Sequence, residues 1–367
     1  MISSIRKFLS QFRYSAWVLE GVEQRSESAL RILFVSGSTL NKNYITSALF
    51  KDSARETYLG RFWMLKPLQF TPKMAGDFDL VITEISPDQP IDTRQPYFFI
   101  PAWVDSRVNI DDSIELCKHS KSIKDDLRRI RKFDYTYQIS NEKERFIDFY
   151  NNMYVPYINN NYGSQAALHS LEKILHNWEE NDLIQVIDGE KAVTGEVISF
   201  IPNTNRAKLE CIGVLDGDRE YVRRAAISAI YYFRLIHLKE KGYSEIDLGA
   251  ARAFLHDGVL QYKKKWGMRL TKIIGTGFVL HQISPTEGAK SLLKNHPFIA
   301  YEKGRFLSVC FMDATEPPTE DKQKKIISQL FMPGTAKAMA YLLDGSINPQ
   351  AFAFDAPFKI EFKRFAL

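Results

Sequence analysis

The order of elements between Leu183 and Leu248 constrains this chain more than any other feature. Leu183–Ile187, Ala192–Ile201 and Ala207–Leu215 are short runs rich in β-branched and apolar residues, and Gly189-Glu190 supplies a hairpin turn between the first two. They predict a three-stranded meander. Asp216-Gly217-Asp218 follows as a turn, with Asp218 placed to cap a helix. That helix is predicted to run through Leu238, because Val222, Ala225, Ala226, Ala229, Phe233 and Ile236 form one apolar stripe. Lys239 and Lys241 put cations in its last turn, and Gly242 ends it. Ser244–Leu248 is the next strand, and a strand regained after one helix lies parallel to the one it left. Helices at Glu142–Asn152 and Leu168–Glu180 precede the meander; a short helix (Asp257–Lys265) and the strand Thr271–His281 follow it.

The flanks read as smaller units. Strands at Ile32–Val35, Phe78–Ile85 and Tyr97–Ile100 and a helix at Tyr44–Phe50 make an N-terminal α/β unit. Its Ser36-Gly37-Ser38 turn lacks the spacing of a phosphate loop and is a strand exit. Beyond Ser284 come helices at Gly288–Lys294 and Lys322–Phe331, the strand Arg305–Met312 and an apolar helix at Ala336–Leu343. The division is therefore residues 1–115, 116–283 and 284–367. Met1–Tyr14 has Ile2, Ile5, Phe8, Leu9 and Phe12 at helical spacing with Arg6, Lys7 and Arg13 between them. It is read as a terminal helix packed on its own protein, with peripheral membrane contact as the alternative. Lys118–Lys132 is an amphipathic helix with a basic face, read as solvated, with phosphate or RNA contact as the functional alternative.

Composition narrows the function classes. At 45% hydrophobic and 25% charged, the 367 residues are those of a globular chain, and a net charge of +5 suits anionic ligands without selecting one. The three cysteines, Cys117, Cys211 and Cys310, form no CxxC pair, which disfavours a disulfide framework or zinc site and points to a reducing compartment. No apolar run spans a bilayer and no secretory signal opens the chain, so the expected location is cytoplasmic. The seven histidines show no metal spacing.

The local run Ile246-Asp247-Leu248-Gly249, Arg252, Asp257-Gly258 and Tyr262-Lys263-Lys264-Lys265-Trp266-Gly267 resembles the FemAB-like branch of the GNAT acyltransferase superfamily. There a strand ending D-x-G is followed by a short helix carrying [FY]-K-x-x-[WF]-G. Leu127-Arg128-Arg129-Ile130-Arg131, Val193-Thr194-Gly195 and Phe149-Tyr150-x-x-Met153-Tyr154-x-Pro156-Tyr157 agree with it, so the resemblance covers about residues 120–281. It implies a GNAT-like mixed α/β sheet with flanking helices, an N-terminal unit that is a degenerate GNAT-like half, and a C-terminal extension.

The resemblance further implies direct attack of an amine on an activated acyl or aminoacyl carbon, with acyl-coenzyme A or aminoacyl-tRNA as donor and an amine on a glycan or lipid precursor of the cell envelope as acceptor. Asp247, Glu210 and Tyr262 are then candidates for proton transfer, with Glu196 a carboxylate that alternation turns to solvent. Gly249, Arg252, Lys263 and Tyr157 are candidates for the acceptor side, with Lys263 on an exposed helix edge and Lys264 and Lys265 as surface. Leu215, Arg219, Arg223, Arg224 and Ala225 stand where a pyrophosphate loop would lie, but its two glycines are absent and Glu220 intrudes, which moves weight toward aminoacyl-tRNA. The alternative is a binding protein that recognises an anionic ligand without turnover, and a weaker one is an RNA-binding module.

Overall fold

A computed structural model describes residues 13–64, 66–70, 77–91, 96–163, 168–313, 318–343, 348–352 and 354–367. The helix expected at Met1–Tyr14 lies outside these residues except for Arg13 and Tyr14, which open a strand. Contacts divide the chain into two units: residues 1–104, 251–261 and 272–367 form one, and residues 105–250 with 262–271 the other.

The chain begins with β1 (Arg13–Val22), β2 (Ala29–Ser36), α1 (Thr39–Leu49), β3 (Arg55–Trp63), β4 (Leu80–Ile85) and β5 (Phe98–Asn109). It continues through α2 (Ile110–His119), α3 (Lys121–Lys132), β6 (Thr136–Ser140), α4 (Lys143–Phe149), α5 (Val155–Tyr162) and α6 (Leu171–Ile174). Then come β7 (Asp182–Asp188), β8 (Lys191–Phe200), β9 (Arg206–Val214), α7 (Arg219–Arg223), α8 (Ala226–Glu240), β10 (Glu245–Ala251), α9 (Gly258–Lys265) and β11 (Arg269–His281). The tail carries α10 (Glu287–Asn295), β12 (Phe298–Glu302), β13 (Arg305–Asp313), α11 (Glu320–Leu330), β14 (Lys337–Leu343) and β15 (Ile360–Phe365).

In the second unit the strand order is β10-β9-β8-β7-β6. β6 to β9 pair antiparallel, and β10 joins β9 in parallel. The fold class is the expected mixed α/β sheet with flanking helices. Local chemistry sets the elements. Gly189 takes φ +62° in the two-residue turn of the β7–β8 hairpin. The basic stretch breaks into two helices because Ser120 accepts the Ile123 N–H and so caps α3. The meander's core packs Phe146, Phe149, Met153, Tyr154 and Cys211 together, with a π-turn (Tyr150–Tyr154) lying directly over Gly213.

Three expectations need correction. The long helix is split: Asp218 caps the short α7, and α8 starts only after Ala225, which sits at φ +69° with no side-chain cap. Leu168–Glu180 holds just the one-turn α6 and a 3-10 turn, because Asn177 in the left-handed region (φ +55°) interrupts it. Ala336–Leu343 is not a helix but β14, buried between parallel β13 and β15. A short, continuously apolar run does not distinguish a buried strand from a buried helix.

In the first unit one sheet runs β3-β1-β2-β4-β11-β5 and a second runs β12-β13-β14-β15. β1 pairs antiparallel with β2 and β3, and β2 and β4 are parallel. The three cysteines are free and buried. Among the described residues no helix is long and apolar enough to cross a membrane, and no acidic, histidine and cysteine side chains cluster as metal ligands.

Candidate functional site

β9 and β10 are paired only at Glu245–Arg206, Ile246–Ala207 and Asp247–Lys208. Beyond that point β9 runs on to Val214 and β10 to Ala251, with no further pairing between them. Gly249 explains why. It lies at φ +69°, a left-handed conformation that turns the backbone out of the ladder and that glycine adopts without strain. The carbonyls freed by this turn need a donor. Lys263 supplies it: Nζ donates to Gly249 O at 2.8 Å and to Ala250 O at 2.9 Å. Lys263 is 4% exposed, so the expected helix-edge cation is a buried clamp that holds the end of β10. Lys263→Met is expected to cost about 2 kcal/mol of stability, since hydrogen bonds from a charged donor contribute about 1.5–3 kcal/mol. Urea denaturation checks this; an unchanged midpoint would return Lys263 to the surface.

The start of α8 carries the polar counterpart. Ser228, in its first turn, donates Oγ–H to Asp126 Oδ2 at 2.6 Å. Tyr262 Oη lies 2.8 Å from the same Oγ, and Lys265 Nζ donates to Asp126 Oδ2. With Ser228 giving its proton to the carboxylate, Tyr262 is the donor to Ser228. Burial pushes the Tyr262 phenol up, the bond to Ser228 offsetting only part of it, so the hydroxyl stays protonated. The chain Tyr262–Ser228–Asp126–Lys265 draws on α3, α8 and the end of α9. Over it opens a cleft of about 500 Å³ lined by Lys121, Ser122, Asp125, Asp126, Arg129 and Lys265. Lys265 is paired with Asp126, and Asp125 lies 3.3 Å from Arg128. That leaves Lys121 and Arg129 as cations without a carboxylate partner among the described residues.

The structure sorts the residues singled out from the sequence. Tyr262 belongs to the chain just described. Lys265, read as surface, belongs to it too, whereas Asp126 and Ser228 escaped notice because nothing in sequence joins them. Asp247 is not a free base: Arg107 Nε holds it at 2.5 Å and Arg206 lies 3.9 Å away. Burial raises the Glu210 carboxyl, but hydrogen bonds from Lys208 at 2.8 Å and Ser199 at 2.6 Å outweigh it and bring the group below its ordinary range. Glu210 is therefore a poor proton acceptor. Glu196 does not face solvent; it is fully buried against Arg234 at 2.9 Å.

Arg252 is also corrected. It is 5% exposed, donates to Asn41 Oδ1 at 2.9 Å and to Ala102 O at 3.2 Å, and sits 3.6 Å from the Trp103 ring centroid and 4.0 Å from that of Tyr44. All four partners are in the first unit, and Arg252 presents no free guanidinium to a substrate. Tyr157 is half-buried and burial raises its phenol. On the donor side, Leu215 packs on the meander's core, and Arg224 is bound to Asp188 at 2.8 Å with its guanidinium 4.2 Å from the Phe133 ring centroid. Arg219 and Arg223 are exposed, Arg223 lying 3.5 Å from Glu220. Ala225 holds the glycine-like backbone at 3% exposure, a conformation that costs a residue with a Cβ about 1–3 kcal/mol.

No protein-family model matches the sequence, and no curated protein matches it. Solved structures do. L-PGS from Bacillus licheniformis is 12% identical, covers 74% of this chain and 82% of its own, and has a TM-score of 0.34. FemX is 11% identical, with 72% and 83% coverage and a TM-score of 0.37. A GCN5-related N-acetyltransferase from Kribbella flavida is 11% identical, with 55% and 67% coverage and a TM-score of 0.27. Scores this low leave the fold resting on the strand order itself. An antiparallel meander, a helix, and a parallel strand that parts from its neighbour beyond three pairs make the second unit a GNAT-like mixed α/β fold.

Proposed function

We propose that the second unit is an N-acyl- or aminoacyl-transferase. The observation that carries this reading is the hydrogen-bonded chain Tyr262–Ser228–Asp126 beneath an open, cation-lined cleft. In the reaction an acceptor amine attacks the acyl carbon, a C–N bond forms, and the bond to the donor's sulfur or oxygen breaks. Asp126 takes the proton lost by the amine. Asp126, the member of the chain that lines the cleft, passes this proton to the departing sulfur or oxygen, while Tyr262 and Ser228 hold its carboxylate in place, so the proton balance closes within the site. Lys121 and Arg129 are placed to hold a phosphate of the donor, with coenzyme A and aminoacyl-tRNA as the two donor classes. The acceptor is an amine on a glycan or lipid precursor.

Thermal shift with acetyl-, long-chain acyl- and dephospho-coenzyme A tests the coenzyme A form. A donor held at a hundred times its Kd is expected to stabilise the protein by about 2.7 kcal/mol. No shift with any of them discards coenzyme A, and binding of aminoacyl-tRNA that weakens steeply with salt then assigns the other donor. A second reading, binding of an anionic ligand without turnover, draws on one observation: Arg224 is consumed by Asp188 where a pyrophosphate loop would offer it.

A further inference from the structure

The outer strands of the first unit's sheet carry a surface that the transfer chemistry does not use. On one face of the β1–β3 pair, Arg13 stands opposite Trp63, Ser15 opposite Arg61 and Trp17 opposite Tyr58. Trp63 is 61% exposed and Tyr58 56%, the two most exposed large apolar side chains among the described residues. The Arg13 guanidinium lies 5.6 Å from the Trp63 ring centroid. On the same face Trp17 lies beside Tyr58 at 5.8 Å between centroids and beside Phe34 at 6.2 Å. The other face of the pair is committed to the core through Tyr14, Ala16, Leu59 and Phe62. The only acid these registers place on the open face, Glu56, is neutralised by Lys42 Nζ at 2.5 Å.

We infer that this face binds single-stranded nucleic acid, its bases stacked on Trp63 and Tyr58 and its phosphates met by Arg13 and Arg61. The inference does not rest on the transferase reading. Exposed rings interleaved with arginines are what a base-stacking platform requires. The two rings stand opposite Arg13 and Trp17, four positions apart on β1 with a bulge in the pairing between them, about 13 Å at the rise of a strand, which suits a segment of about four nucleotides. A charged edge that merely prevents aggregation needs no exposed tryptophan. A membrane-seeking face would set aliphatic side chains beside its rings, and here the exposed Arg61 stands between them.

Fluorescence anisotropy of the full chain with a labelled oligo(U) RNA, its oligo(dT) counterpart and an RNA duplex tests the inference. The single strands are expected to bind, and to bind more weakly as salt rises. Trp63→Ala and Tyr58→Ala should each weaken binding about ten-fold, with the melting temperature unchanged because both rings are exposed, and Trp63→Phe should retain it. Arg13→Gln and Arg61→Gln should each lower the salt slope by about 0.7. Equal affinity for RNA and DNA supports recognition of bases and phosphates alone, and tighter RNA binding supports an added 2′-hydroxyl contact. Duplex binding as tight as single-strand binding, unchanged affinity in Trp63→Ala, or binding to anionic phosphatidylglycerol vesicles but to no oligonucleotide would each overturn it.

Discussion

Arg234→Met is expected to destabilise the second unit by about 3–5 kcal/mol, the usual consequence of leaving one member of a buried ion pair alone. Arg234 and Glu196 have side chains 1% and 0% exposed and meet at 2.9 Å. The Arg234 guanidinium also lies 4.0 Å from the Tyr231 ring centroid, so the variant loses a cation–π contact too. The pair is imperfect: Glu196 Oε1 and Arg234 Nε find no hydrogen-bond partner among the described residues. Burial raises the Glu196 carboxyl from 4.5 to about 7, with Arg234 opposing the rise. The folded state therefore holds this proton more tightly than the unfolded chain between about pH 4.5 and 7, and the contribution of Glu196 to stability falls as pH rises through that window. Without Arg234 the carboxyl rises further and the falling limb extends above pH 7. Replacing both members, Glu196→Leu with Arg234→Met, should recover most of the loss, since apolar residues of similar volume substitute for buried pairs at little cost. Urea denaturation across pH, with Glu196→Leu alone completing the cycle, checks these; a double-variant loss equal to the sum of the two single losses would mean that the pair is not coupled.

The second large effect concerns turnover. Asp126→Asn preserves shape and the Ser228 contact but removes the base, and should lower the transfer rate about 10²–10⁴-fold. Affinity for the donor should change little, because Lys121 and Arg129 remain. Tyr262→Phe breaks the chain at its other end, removing the hydroxyl that holds Ser228, and should reduce the rate without altering the fold, since its ring still packs edge-on against Tyr231 at 5.0 Å.

The sequence carried the meander and the parallel strand because each strand has its own apolar run and Gly189 marks the hairpin; it carried the long helix as an apolar stripe but set its start at Asp218, which caps only α7. It did not carry β14, whose apolar run has no period to read, nor the exposed strand β3, where tertiary pairing with β1 decides. The polar site was half legible. The [FY]-K-x-x-[WF]-G run located α9 but assigned its lysines in reverse: Lys263 turns inward to carbonyls that only a parted strand exposes, and Lys265 reaches a carboxylate on α3. Asp126 and Ser228 are 102 residues apart, and no local pattern joins them. Glu196 misled for a related reason. Alternation assigns one face of a strand to solvent, but a sheet covered on both faces turns an alternating carboxylate into a buried one.

The most direct measurement follows donor consumption by the full chain, with acyl-coenzyme A and with aminoacyl-tRNA, in the presence of a panel of amines, for the parent protein and Asp126→Asn. Amine-dependent release of free coenzyme A or free tRNA is expected from the parent, with a loss of at least about a hundred-fold in the variant. Release that is equal in the two proteins, or absent with both donors from a folded protein, would contradict the transferase reading.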